Sequence, residues 1–122
     1  MARVLVIADE PWVRSEVHAA LTEPAYTLID HDDPRTAAER AGDEKVDAVI
    51  TDLQVGTMGG MAVVRDVRDR DAIAGREFTP VVILLDRAAD TFLAKRAGAA
   101  AWVTKPFTTA MIREALEQAT GG

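Results

Sequence analysis

Several short apolar runs in this 122-residue chain end on charged residues. RVLVIA (3–8) runs into Asp9-Glu10, DAVIT (47–51) into Asp52, VVILL (81–85) into Asp86, and AAWVT (100–104) into Lys105. AYTLI (25–29) is followed by a polar stretch containing His31 and Asp32. Two carboxylates and a lysine brought to one point suggest a definite chemistry. Unpaired carboxylates repel by about 4 kcal/mol at a separation of about 4 Å and an effective dielectric of about 20. A hard divalent cation removes that cost, and Mg²⁺ takes one or two carboxylates before filling its shell with water and phosphate oxygens. Lysine adds a compact positive charge. Asp9, Asp52 and Lys105 together would suit a phosphoryl group carried on an aspartate oxygen. Singly they say less. Isolated acids cap helices or sit in solvated loops, and a lone lysine is an ordinary surface residue.

Convergence of these residues requires a scaffold that delivers strand ends to one pole. Arg3–Ala8 reads as a buried strand. Pro11 then opens a helix with Val13, Val17, Ala20 and Leu21 at helical spacing, stopped by Glu23-Pro24. Ala25–Ile29 is a weaker strand, Asp30–Pro34 a polar loop, and Pro34–Ala41 a short helix ended by Gly42. Asp47–Thr51 is the third strand, Leu53–Gly60 a loop, and Met61–Arg70 a helix with Val63, Val64 and Val67 inward. Asp71–Pro80 reads as irregular. Val81–Leu85 is the fourth strand, and Asp90 caps a helix running to Ala97 before Gly98. Ala100–Thr104 is the fifth strand. Thr108 or Thr109 caps a last helix carrying Met111, Ile112, Ala115, Leu116 and Ala119 on one face.

Five β-α units in tandem predict an α/β fold. The expected architecture is a five-stranded parallel sheet, doubly wound in the flavodoxin-like order 2-1-3-4-5. VLVI and VVILL lack alternation, as strands covered on both faces do. In that order strands one and three are neighbours, so Asp9 and Asp52 converge. Ligands of such sheets bind beyond the carboxyl ends of the strands.

Composition narrows the function. The length suits one domain over residues 1–122. Fourteen Lys+Arg against twenty Asp+Glu leave a net charge of −6, with a pI of about 4.8. That balance disfavours direct contact with nucleic-acid backbones. No cysteine is present, which excludes disulfides, thiol catalysis and Cys-ligated zinc. No run approaches the roughly 20 apolar residues of a membrane span, and the N-terminus does not read as a signal peptide. A cytoplasmic location is the expectation. His18 and His31 lack the spacing of a helical metal pair and read as surface or half-buried residues. The glycines of GTMGG lack the GK[ST] of a phosphate-binding loop. Trp12 lies off the Val13/Val17 face, beside the acidic turn, and partial packing on a neighbouring loop is expected of it.

Read together, RVLVIADEPWVR, DAVITDLQVGTMGG, TPVVILLD and AGAAAWVTKPF resemble a receiver domain of two-component response regulators, over Arg3 to about Ala119. Their order and spacing carry the resemblance. It implies that Asp52 is the phosphoacceptor and that Asp9, Asp52 and the backbone carbonyl of Gln54 hold Mg²⁺. It implies that Lys105 pairs with the phosphoryl group and that Lys105-Pro106 is cis. The implied partner is a sensor histidine kinase or another signalling protein, with output through protein contacts. A homodimer through the helix 4–strand 5–helix 5 face is an option the resemblance leaves open.

The departures from that family are as specific as the matches. Ala8 stands where the family usually has a first acid, so weaker Mg²⁺ binding is expected. Leu85 stands at the switch position of the family's Ser or Thr, and no hydroxyl occurs in Val81–Leu85. Asp86 follows it as a possible pocket acid, as readily a plain loop residue. Gly56 and Gly59 replace a Pro and an Asp in the loop after the phosphoacceptor. Trp102 holds the switch-aromatic position, where Tyr or Phe is commoner. An enzyme is not expected. Gln54 occupies the place where an aspartyl-phosphate hydrolase needs a second acid, and the acidic ADEPW turn would repel a flavin phosphate. A pseudo-receiver, binding partners without phosphorylation, is the alternative.

Overall fold

In the computed structural model five parallel strands form one sheet in the order β2-β1-β3-β4-β5. The structure describes residues 2–22, 24–56 and 58–121. Glu23 of the expected helix stop and Thr57 of GTMGG lie outside the described residues. The strands are β1 (Ala2–Ile7), β2 (Tyr26–His31), β3 (Ala48–Asp52), β4 (Val81–Leu85) and β5 (Ala101–Thr104). The helices are α1 (Pro11–Ala20), α2 (Ala37–Glu44), α3 (Gly60–Ala74), α4 (Thr91–Ala97) and α5 (Thr109–Thr120).

Both faces of the sheet are covered. Val4, Val6, Ile50, Val82 and Leu84 pack against Val13 and Val17 of α1 and Ile112 and Leu116 of α5. Leu5, Ile7, Val49, Ile83 and Leu85 pack against Ala37 and Ala41 of α2, Val63 and Val67 of α3, and Ala94 of α4. Successive strand residues point to opposite faces, so each apolar run feeds two cores at once. This double burial is why β1 and β4 read as unbroken apolar runs.

Several element boundaries differ from the sequence reading. β2 continues through Asp30 and His31, because its pairing with β1 extends to Ile7↔His31. α2 runs from Ala37 to Glu44 rather than from Pro34 to Ala41. Gly42 does not stop it, and Lys45, at φ 51, closes it instead by donating its N–H to Ala41 and Gly42 carbonyls. Asp90 ends a short 3₁₀ turn (Ala88–Asp90) and does not cap α4 with its side chain. Its carboxylate is taken by Arg87 Nη2 at 2.8 Å. In α5, Thr108 is the cap, accepting from the Met111 N–H at 3.2 Å. Met111 itself faces outward, unlike its expected inward neighbours.

The largest correction concerns Asp71–Pro80. α3 continues to Ala74, and Asp71 is a buried helical residue. Its Oδ1 accepts from Arg76 Nε and Nη2 at 3.1 and 3.0 Å, and its Oδ2 accepts from the Thr79 N–H at 2.7 Å. This carboxylate folds the 75–80 segment back onto the start of β4. Removing a buried acceptor strands its donors, at about 1–3 kcal/mol. Asp71→Ala should therefore lower stability by about 2 kcal/mol in urea unfolding. An unchanged midpoint would show that the clip contributes nothing.

Candidate functional site

The strand register builds the site. Ile7 of β1 is paired with Thr51 of β3, Asp52 with Leu84 of β4, and Leu85 with Thr104 of β5. One step past the last pair stand Asp86 and Lys105. Asp52 is the last residue of β3, not the first beyond it. It is 2% exposed. Lys105 Nζ donates to Asp52 Oδ1 at 2.7 Å and to Asp86 Oδ1 at 3.1 Å. The Lys105 side chain is 10% exposed, whereas Asp86 is 46% exposed. Asp86, though more open to solvent, shares the Lys105 ammonium with Asp52. The Lys105-Pro106 peptide is cis.

The loop after β3 is tied to the same pole. Leu53 donates its N–H to the Leu84 carbonyl at 3.0 Å, and Gly60 donates to the Leu53 carbonyl at 2.9 Å. Gly60 has to be glycine, since a Cβ there would lie 2.4 Å from the Asp52 carbonyl oxygen. Asp9 Oδ2 accepts from the Gly56 N–H at 2.9 Å. Gly56 has a φ of +56, a region that glycine enters without penalty. The end of β1 is therefore fastened to the loop that follows Asp52.

Burial pushes the Asp52 carboxyl above the usual aspartate range, and the Lys105 contact and the Gln54 backbone N–H offset only part of that effect. Burial is also the largest single influence on Lys105, opposing its charge. The Asp52 and Asp86 contacts together outweigh it, so the ammonium is held above its ordinary value.

The other expected residues fall as follows. Ala8 is fully buried in the α1/α5 core, and its carbonyl accepts from Arg14 Nη1 at 2.8 Å. Leu85 is fully buried, and its carbonyl accepts from the Lys105 N–H at 2.7 Å. Trp102 is half-buried on edge strand β5 and packs on the core shared by α2, α3 and α4. His18 and His31 are engaged locally, with Asp30 at 2.9 Å and with Thr36 Oγ1 at 2.8 Å. Asp30, His31 and Asp32 line a separate cavity of about 260 Å³ with Arg14 and Arg40, which includes neither Asp52 nor Lys105.

Trp12 is partly packed against a neighbouring loop, as expected, and that loop is the one that follows β5. Its ring lies under the ammonium of Lys105, with the centroid 5.2 Å from Nζ, and its indole N–H donates to Glu10. The sequence signal was its position off the apolar face of α1. Its partner, from the far end of the chain, was not visible there.

Among the described residues no group of three or more His, Cys, Asp or Glu is placed to hold a metal. The expected donors, the Asp9 and Asp52 carboxylates and the Gln54 carbonyl, are all hard oxygens. Mg²⁺ commonly takes one or two protein carboxylates and completes its shell otherwise, so hard oxygen donors of this number fit it.

The receiver-domain family model of response regulators matches residues 4–117, and the chain belongs to that family. Transcriptional regulatory protein KdpE of Mycobacterium tuberculosis is 35% identical over 109 residues, which is 88% of this chain and 46% of that protein. The chain spans about half the length of the curated relatives it matches, between 40% and 56%. The chemotaxis response regulator CheY4 of Vibrio cholerae is 27% identical, with a TM-score of 0.83 over 98% of both chains. The receiver domain of a sensor histidine kinase from Pseudomonas aeruginosa, 21% identical, has a TM-score of 0.81 over 99% of this chain and 98% of its own. It was solved with a magnesium ion coordinated in its active-site cleft. Receiver domains of this family are signalling modules of two-component systems. Among the described residues no helix is long and apolar enough to cross a membrane.

The raised pKa of Asp52 has a sign that can be checked. Its charged form is disfavoured in the fold, so its contribution to stability falls as pH rises from 3.8 through the raised folded value. Asp52→Asn should therefore be more stable than wild type at pH 7 in metal-free buffer, by about 1 kcal/mol, as neutralised functional sites often are. Urea unfolding at several pH values should show the advantage shrinking toward pH 4. A less stable Asp52→Asn at pH 7 would overturn this account.

Proposed function

We propose that this chain is a phosphorylation-dependent receiver domain in which Asp52 accepts a phosphoryl group from a sensor histidine kinase. The observation that carries this reading is the buried Asp52 carboxylate held at 2.7 Å by the Lys105 ammonium. In the proposed transfer a carboxylate oxygen of Asp52 attacks phosphorus. A P–O bond forms, the bond to the donor imidazole nitrogen breaks, and that nitrogen leaves with a proton. Lys105 faces the charge on the transferred oxygens. Asp9, Asp52 and the Gln54 carbonyl would hold Mg²⁺, which when bound supplies charge neutralisation at the phosphoryl oxygens.

Output in this reading is by protein contact, with the α4-β5-α5 face as the candidate surface and a homodimer as one form of it. Direct nucleic-acid or membrane contact forms no part of it, and the proposed location is the cytoplasm. Leu85 offers no hydroxyl to the phosphoryl group, and a hydrogen bond to a charged group is worth about 1.5–3 kcal/mol. Ala8 removes one acid from the metal side. We therefore infer weak Mg²⁺ binding and loose coupling of phosphorylation to that face.

One observation favours the second reading, a pseudo-receiver that does not use phosphorylation. Asp86 already occupies Lys105 at 3.1 Å, as a resident acid competing with an incoming anion. Titration with Mg²⁺ and beryllofluoride, followed by NMR, separates the two. The phosphoacceptor reading expects a saturable Mg²⁺-dependent change that is absent in Asp52→Asn and reversed by EDTA. No response in the wild type would establish the pseudo-receiver instead.

A further inference from the structure

The ammonium of Lys105 has three neighbours: the Asp52 carboxylate, the Asp86 carboxylate and the ring of Trp12. The acids account for its charge. They do not account for its enclosure, because Asp86 beside it is 46% exposed while Lys105 is only 10% exposed. The Trp12 ring stands against the ammonium, its centroid 5.2 Å from Nζ. It stands in the first turn of α1, off the Val13/Val17 core face, and remains 52% exposed. Its position is therefore not explained by core packing. The indole N–H donates to Glu10. Pro11, at the first helical position, fixes the backbone just before it. An aromatic face attracts an ammonium through its quadrupole, more strongly when the cation is desolvated.

We propose that Trp12 is a positioning residue that clamps Lys105 over the Asp52 carboxylate. The clamp itself follows from the contacts; its consequence for phosphoryl binding rests on Asp52 being the phosphoacceptor. A lysine already seated does not have to be ordered when an anion arrives. Trp12 thereby tunes the affinity of the site without touching the phosphoryl group.

Two measurements test this. The first is the rate of acetylation of each lysine by an amine-reactive ester, read by mass spectrometry. Trp12→Ala should label Lys105 about 3- to 10-fold faster than wild type, the fold-range of an aromatic–ammonium contact. The exposed Lys45 and Lys95 should be unchanged, and Trp12→Phe, which keeps an aromatic face, should stay within about twofold of wild type. An unchanged Lys105 rate in Trp12→Ala overturns the clamp, and so does a rise at all three lysines, which reports general loosening.

The second is Mg²⁺-beryllofluoride affinity. Trp12→Ala should bind about 3- to 10-fold more weakly, with Trp12→Phe largely restored. In a Lys105→Ala background, Trp12→Ala should have no further effect. Equal affinity in Trp12→Ala and wild type overturns the positioning role. A wild type that takes no beryllofluoride, while its Lys105 labelling still responds to Trp12, overturns the phosphoacceptor reading and upholds the clamp.

Discussion

The ion pair between Lys105 and Asp52 is the constraint around which this pole of the molecule is organised. Both side chains are largely withdrawn from water, and burying two charges costs several kcal/mol per ion unless each is well paired. The fold meets that demand from several directions. β3 carries Asp52 to the edge of the core, and the β4–β5 register sets Lys105 beside Asp86. Trp12 comes from α1, so the first and fifth β-α units meet over one ammonium. None of these groups is near another in sequence. Only the parallel sheet, with every strand ending at the same pole, brings them together.

The pair is not balanced by itself. Asp52 is held above its usual pKa by burial even with Lys105 alongside, whereas Lys105 gains from two acids at once. The local charge is therefore two carboxylates on one lysine, while Asp9 accepts from the Gly56 N–H in the loop after Asp52. A site with that surplus of negative charge is suited to a cation. The acidic composition of the chain is in part this cluster. Ala8 shows how the surplus has been limited: a side chain at that position is enclosed by α1 and α5, and the Arg14 guanidinium lies on its carbonyl.

The fold was legible because its signals are local and redundant. Apolar runs of four or five residues, each followed by a helix-period segment, leave little besides a doubly wound sheet, and the expected strand order is the one observed. Asp52 and Lys105 were legible for a related reason, since each follows directly on a buried run. Boundaries were less so. Lys45 in the left-handed region closes α2 where Gly42 was the better candidate, because tertiary packing outweighs terminal propensity in so short a helix. Asp71 looked like loop polarity, yet its three donors come from Arg76 and Thr79, downstream residues whose return is itself a tertiary event. Trp12 was legible as an oddly placed aromatic and illegible as a clamp, because its partner lies in the last β-α unit.

The apolar end of β4 bears on how such a site would communicate. Leu85 is sealed in the core shared by α2, α3 and α4, so it has no polar atom to follow a change at Asp52. Trp102 packs on the same core. What responds to charge at this pole is Lys105, and its neighbours are Asp86 at the head of the β4–α4 connection and Trp12 at the head of α1. A new anion at Asp52 would draw Lys105 toward itself and away from Asp86. The shift would first reach the Arg87–Asp90 turn that leads into α4, and on the other side Trp12 and Glu10. The polar group in contact with both Asp52 and Asp86 is the Lys105 ammonium, and β4 offers no hydroxyl beside it.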